Sequence, residues 1–128
     1  MFESTKAFSG FSVNDIEAAK QFYGTTLGVE VFENGMGNLS LQLPGGTEVL
    51  VYPKDDHVPA VFTILNFEVV DIDKAVDALT ASGVSFQRYD AMHQDDKGVM
   101  RGIAAGMGPD IAWFTDPAGN ILSVLQTA

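Results

Sequence analysis

The chain has 128 residues, 46% of them hydrophobic, and it contains no cysteine. This length suits one domain with a substantial core, and the lack of cysteine excludes disulfides, thiolate zinc sites, iron–sulfur clusters and a cysteine nucleophile. Seven basic residues stand against 17 acidic ones, and the formal charge of −10 argues against a nucleic-acid partner and against an anionic membrane surface. The same charge permits a cationic ligand, and it also favours solubility.

Nothing in the sequence predicts a membrane span or export. The apolar stretches are far shorter than the roughly 20 residues that a spanning helix needs, and residues 1–6 do not begin a secretory signal. We therefore expect a soluble cytoplasmic protein.

The first half of the chain predicts a strand, a helix and three further strands. Apolar residues alternate loosely up to Val13, and from Ile16 they recur at the spacing of a helix face. Asn14 or Asp15 can cap this helix, and Gly28 suits the left-handed position that ends one. The predicted elements are a strand at 6–13, a helix at about 15–27, and strands at 29–32, 38–43 and 48–52.

The second half repeats this plan. Residues 13–19 are matched by residues 69–75, and Gly28 with Val29 is matched by Gly83 with Val84. A Pro-x-Gly turn separates the last two strands of each half. The predicted elements are a strand at about 61–69, a helix whose apolar face carries Ile72, Ala75, Val76 and Leu79, and strands at 84–89, 111–115 and 121–126.

The chain is therefore predicted to be a single domain, 1–128, made of two βαβββ modules. The modules span about 6–53 and about 61–127, and a polar, turn-prone linker at 54–60 joins them. They differ mainly at residues 90–108, a long irregular segment of the second module. Loops of this length often act as lids or binding edges, although a solvated connection is the plainer interpretation.

Several stretches carry a resemblance to a known family. They are Val13-Asn14-Asp15-Ile16, Phe22-Tyr23, Leu27-Gly28-Val29 and the hairpin Ala112-Trp113-Phe114-Thr115-Asp116-Pro117-Ala118-Gly119-Asn120-Ile121-Leu122. Together with the paired modules they resemble the vicinal oxygen chelate superfamily, which includes glyoxalase I, extradiol dioxygenases, fosfomycin-resistance enzymes and bleomycin-resistance proteins. The resemblance implies an α+β fold in which the two modules form a curled mixed sheet around a cavity. It also implies a homodimer.

The resemblance further locates the family's metal positions. Metal-dependent members hold a divalent ion with His, Glu or Gln from the first and last strands of each module. The corresponding residues here are Phe8, Leu50, Ile64 and Ser123, none of which is a competent ligand. We therefore predict that the protein binds no metal and no other cofactor. A displaced site built from Glu48, Asn66 and Glu68 is the alternative.

Strand alternation predicts two faces for each sheet. One apolar set should pack beneath the helices: Phe11 and Val13, Val49 and Val51, Phe67 and Val69, Leu122 and Val124. If the hairpins are tight, Ser40 lies across from Leu50 and Trp113 lies across from Ser123. The opposite, inner face then carries Phe8, Ser40, Leu50, Tyr52, Ile64, Asn66, Trp113 and Ser123.

The inner face is mostly apolar with a few polar groups, a composition typical of a small-molecule pocket, although a filled barrel core has a similar one. From the long segment, Tyr89, His93, Met100 and Arg101 are candidate ligand-binding residues. The preferred hypothesis is a metal-free protein that binds a small neutral or cationic molecule. The alternatives are a glyoxalase-type lyase, isomerase or dioxygenase with a displaced metal, metal-free acid–base catalysis by Glu48, Glu68 or His93, and an interaction module with a filled barrel.

Overall fold

The computed structural model describes every residue from Met1 to Ala128, in two compact units, Met1–Val58 and Pro59–Ala128. Each unit contains one mixed four-stranded sheet, and neither sheet is closed, because each has two edge strands. The predicted α+β class with paired modules is confirmed. None of the helices has the length and apolar character that a membrane crossing requires.

Unit one follows the predicted order of elements. They are β1 (Ser9–Val13), α1 (Ile16–Gln21) with a π-helical extension (Phe22–Thr26), β2 (Glu30–Glu33), β3 (Leu39–Gln42) and β4 (Glu48–Pro53). The strand order is β1-β4-β3-β2. β1 runs parallel to β4, and the other pairs are antiparallel.

Local signals in the sequence set the ends of the first helix. The Asp15 carboxylate accepts hydrogen bonds from the Glu17 and Ala18 N–H groups, which satisfies two donors that the first turn leaves free. The helix widens at its end, where Leu27 N–H donates to Phe22 O across five residues. Gly28, with a φ of 70°, then ends it in the left-handed conformation, as predicted.

The predicted helix-facing set forms the core of unit one. Val13, Val49 and Val51 are buried, and Tyr23 of the helix is completely buried against Phe11, at a ring distance of 5.8 Å. The predicted pairing of Ser40 with Leu50 is confirmed. The other face of this sheet therefore carries Ser40 and Leu50, which are only half-buried.

Unit two repeats the architecture with additions. Its elements are β5 (Thr63–Glu68), α2 (Ile72–Ala81), β6 (Met100–Arg101), a short α3 (Gly102–Ala105), β7 (Asp110–Thr115) and β8 (Ile121–Gln126), with the strand order β5-β8-β7-β6. Ile72 and Val76 of α2 are buried, as are Phe114, Leu122 and Val124 of the sheet. The predicted pairing of Trp113 with Ser123 is confirmed.

The strand predicted at 84–89 is wrong. Within that range only Phe86 bridges to β7, opposite Phe114, and the edge position belongs instead to Met100–Arg101. The reason is a side chain that sequence periodicity does not reveal. The Gln94 amide donates to Gln87 O at 2.9 Å and accepts from Tyr89 N–H at 2.8 Å, so it occupies backbone groups that a strand neighbour would need.

An irregularity in β5 changes the position of one predicted site residue. Thr63 pairs with Ile121 and Leu65 pairs with Leu122, so Ile64 is the extra residue of a bulge. Ser123 accordingly lies opposite Asn66, two residues beyond Ile64.

Candidate functional site

A cavity of about 490 Å³ lies in unit two, along the long segment that distinguishes the second module. Its volume falls within the range typical of small-molecule sites. Three of the five methionines of the chain line it, and Met107, which is 78% exposed, marks its open side. The lining residues are Ala91, Met92, His93, Gln94, Asp95, Val99, Met100, Arg101, Gly102, Ala105 and Met107.

The wall of this cavity is a hairpin held by the Gln94 side chain. Besides its bonds to Gln87 and Tyr89, the Gln94 amide donates to Gly98 O at 2.8 Å. Gln94 also bridges Met100 across the hairpin. Both amide hydrogens are thus used within the protein, which fixes the residues that form the cavity wall. Hydrogen bonds of its own therefore order this segment.

Ion pairs fasten the same segment to α2. The Arg101 guanidinium donates to Asp95 at 2.9 Å and to Asp73 at 2.7 and 3.1 Å. Hydrogen bonds from Arg101, and next from Lys97, lower the pKa of Asp73 to about 2. Burial raises the pKa of Asp95, but hydrogen bonds from the Val99 and Lys97 N–H groups and from Arg101 outweigh it, and the net pKa is lowered.

Gly102 lines the cavity at a point, here called the cavity floor, where its backbone packs closely against that of Gly108 and Pro109. It is buried, and a Cβ added to it would lie 2.3 Å from Pro109 O and 2.9 Å from Gly108 O. Met107 N–H donates to Gly102 O at 2.9 Å, which folds the chain after α3 back over the same point. Only glycine fits this position without displacing the neighbouring backbone.

Of the polar side chains in the lining, His93 differs from the rest. It is exposed, and its imidazole makes no hydrogen bond or ion pair within the protein. His93 is therefore available to a ligand, whereas Gln94, Asp95 and Arg101 already have partners.

The cavity borders the face of the sheet on which the sequence predicted a pocket. Met100 pairs with Ile111, and by alternation Ile111 shares its face with Trp113. Tyr89 stands edge-on to Trp113 at a ring distance of 5.6 Å, and burial raises the pKa of its phenol. On the same face Ser123 is completely buried and donates to Asn66 Oδ1 at 2.5 Å.

The predicted site residues are only partly brought together. His93, Met100 and Arg101 line the cavity, whereas Ile64, Asn66, Trp113 and Ser123 of the same unit do not. Met92 and Met107 were missed as site residues, although both stand in the long segment that was singled out. No local pattern in the sequence distinguishes them from surface methionines, because the hairpin and the turn after α3 bring the two side chains to the same cavity.

The predicted residues of unit one lie on or near the face of its sheet opposite the helix. Phe8 precedes β1 and is 59% exposed, while Ser40, Leu50 and Tyr52 are half-buried on the strands. Glu48 is paired with Lys6 at 3.3 Å. Hydrogen bonds from Ser40, and next from Lys6, lower the pKa of Glu48.

The linker histidine takes part in this unit as well. His57 is half-buried, and its Nδ1 lies 2.6 Å from Ser12 Oγ on β1. The two histidines of the chain thus differ, because His93 is exposed and His57 is half-buried.

A comparison of the sequence with models of protein families shows which family the chain belongs to. The model of the Glyoxalase/Bleomycin resistance protein/Dioxygenase superfamily matches residues 8–124. The chain belongs to this superfamily. The resemblance inferred from the sequence motifs is thereby confirmed.

Several solved structures have the same fold. A fosfomycin resistance protein, FosX, from Listeria monocytogenes is 12% identical with a TM-score of 0.71, over 98% of this chain and 92% of that one. A glyoxalase/dioxygenase from Nostoc punctiforme is 16% identical with a TM-score of 0.68, over 99% and 94%. A glyoxalase family protein from Enterococcus faecalis is 23% identical with a TM-score of 0.65, over 98% and 99%. A search of curated proteins found no match.

The residues at the superfamily's metal positions do not fit a metal ion. Phe8, Leu50 and Ile64 offer hydrocarbon, and the Ser123 hydroxyl is buried and bonded to Asn66. No cluster of three or more His, Cys, Asp or Glu side chains could hold an ion. Of the displaced set, Glu48 is paired with Lys6, and Glu68 accepts a hydrogen bond from Thr127 at 3.1 Å.

Proposed function

We propose that this superfamily member binds a small organic molecule in the cavity of unit two, and that it does so without a metal ion. The observation that carries the proposal is the cavity itself. It has the volume of a ligand site, a wall braced by Gln94 and a lining dominated by apolar groups. A braced wall binds with a smaller ordering cost than a mobile loop would.

The chemistry of the lining favours binding over catalysis. Catalysis by this superfamily's metal-dependent members requires ligands that Phe8, Leu50, Ile64 and Ser123 do not supply. In the cavity, Asp95 and Arg101 are bonded to each other at 2.9 Å, so neither is poised to move a proton. Methionine side chains, by contrast, adapt to the shape of varied apolar ligands.

Filling the cavity tests this proposal. A library of aromatic and basic small molecules is screened against the protein by thermal shift, because a ligand of the folded state raises its apparent melting temperature. Ala105 lines the cavity and Ala104, its exposed neighbour in α3, does not. Ala105→Trp should abolish the shifts that hits produce, and Ala104→Trp should preserve them. Shifts that survive in Ala105→Trp would place the binding elsewhere and contradict the proposal.

The proposal that the ligand binds without a metal ion is tested by a separate measurement. Protein purified without chelators is analysed for Zn, Ni, Mn and Fe, and we expect less than stoichiometric amounts of each. Stoichiometric metal that is lost in Glu48→Ala or Glu68→Ala would contradict this part and favour a displaced catalytic site.

We also propose that the protein acts as a homodimer in the cytoplasm. Large apolar side chains are exposed in both units, among them Phe8, Phe32 and Phe62. Aromatic side chains are enriched in protein–protein interfaces relative to the rest of the surface. Light scattering after gel filtration measures the mass, and a monomer at micromolar concentration would contradict this proposal.

A further inference from the structure

We infer that the cavity selects an uncharged ligand, with an apolar body and one polar group that hydrogen-bonds to His93. The inference rests on the proposed function, because it specifies the ligand of the same cavity. It narrows the predicted ligand, a neutral or cationic molecule that the net charge of −10 permits, to a neutral one.

The lining of this cavity does not share the acidic charge of the whole chain, because its acidic side chain is neutralised. Asp95 is its one acidic lining residue, and that carboxylate accepts hydrogen bonds from Lys97 N–H, Val99 N–H and Arg101. Arg101 is in turn neutralised by Asp95 and Asp73. A charged ligand would lose hydration without gaining a free counter-charge, which makes its transfer into the cavity unfavourable.

His93 is the polar side chain of the lining that remains available. Gln94 uses both its amide hydrogens on Gln87 O and Gly98 O, and its oxygen accepts from Tyr89 N–H. The His93 imidazole makes no bond within the protein. A ligand hydroxyl, amide or carbonyl can therefore gain one side-chain hydrogen bond here, and that bond would orient it.

The remaining surface that a ligand meets is soft and apolar. Met92, Met100 and Met107 contribute thioethers, and Ala91 and Ala105 contribute methyl groups. Thioether sulfur makes favourable contacts with aromatic ring edges, and its flexible chain fills irregular gaps. An aromatic or alicyclic body thus suits this lining.

Three probes that share one ring system test the inference. They are 2-naphthalenemethanol, 2-naphthylmethylamine and 2-naphthoate, titrated at a pH at which the alcohol is neutral, the amine protonated and the acid ionised. The protein carries ¹³C at its methionine methyl groups, so that NMR reports occupancy at Met92, Met100 and Met107. Met36 is the internal control, since it is 86% exposed in the turn before β3 of unit one.

We expect the alcohol to shift the three cavity methyl signals without shifting Met36, and to bind at least about tenfold more tightly than either charged probe. His93→Phe should weaken binding of the alcohol by about three- to tenfold, and His93→Gln, which keeps a hydrogen-bonding group, should restore part of it.

Each contrary result has a separate meaning. A charged probe that binds as tightly as the alcohol, or a His93→Phe protein with unchanged affinity, would overturn this inference and leave the proposed function standing. Cavity signals that none of the three probes moves would count against both.

Discussion

Replacing Gly102 with alanine tests the close packing of Gly102 against the backbone of Gly108 and Pro109. The added Cβ would lie 2.3 Å from Pro109 O, at least 0.7 Å inside the 3.0 Å that real Cβ atoms keep, and 2.9 Å from Gly108 O. Both obstacles are backbone atoms, so no side chain can rotate away to relieve them. Gly102 does not have a positive φ, so the strain is steric rather than conformational.

The expected effect follows from two opposed contributions. Overpacking against a fixed neighbour typically destabilises by about 1–3 kcal/mol, and the upper end applies here because backbone must move. Alanine gains at most about 1 kcal/mol over glycine from helix propensity, and less at the first position of a four-residue helix. We therefore expect Gly102→Ala to lower the free energy of unfolding of unit two by about 2 kcal/mol.

The assay uses the single tryptophan of the chain. Trp113 lies in β7 of unit two, so its fluorescence during urea unfolding reports the unit that contains Gly102. Gly35→Ala is the matched control, because a Cβ there meets nothing within 4 Å. It should change stability by less than about 0.5 kcal/mol. If Gly102→Ala were as stable as the wild type, Gly102 could not lie as close to the backbone of Gly108 and Pro109 as described.

Three further predictions concern hydrogen bonds and charge. Gln94→Ala removes three bonds of 2.8–2.9 Å and should cost about 2–3 kcal/mol, with faster amide exchange confined to the cavity hairpin; unchanged exchange would contradict its bracing role. Asp116→Ala removes the carboxylate that accepts hydrogen bonds in the turn between β7 and β8, among them the 3.0 Å bond from the Asn120 side chain. It should lower the free energy of unfolding, followed by Trp113 fluorescence, by about 2–3 kcal/mol. The folded pKa of Asp73, about 2, lies below the ordinary aspartate value of 3.8. The stabilising effect of its charge is therefore present above the unfolded pKa and is lost as the pH falls through the folded pKa. The stability difference between wild type and Asp73→Asn should be constant near neutral pH and shrink between about pH 4 and 2; a difference that persists at pH 2 would exclude this ion pair as its source.

Helix ends and hairpin registers could be predicted from the sequence because they depend on local chemistry. The cap at Asp15 and the left-handed Gly28 need only their immediate neighbours. The pairing of Trp113 with Ser123 follows from the tight turn between them. Strand alternation then separated the helix-facing side chains from those of the opposite face without knowledge of any distant contact.

The path of residues 84–101 could not be predicted in this way. The segment is apolar enough for a strand at 84–89, but the Gln94 amide takes the backbone groups of Gln87 and Tyr89. A side chain that competes with a strand for hydrogen bonds leaves no periodic signal. Arg101 was predicted as a ligand-binding residue, and it lines the cavity while it is bonded to Asp73 and Asp95.

The sequence by itself determined the repeated βαβββ plan, the superfamily and the lack of metal-ligating side chains at the positions where that family carries them. Those properties depend only on which residues the chain contains and on their spacing along the sequence. Only the tertiary structure decided that Met92, His93, Met100 and Met107 share one cavity and that the charges of Asp95 and Arg101 cancel within it. The physical reason is that both results depend on which distant groups a folded hairpin brings into contact, and a side chain's electrostatic role is set by the partners it meets there.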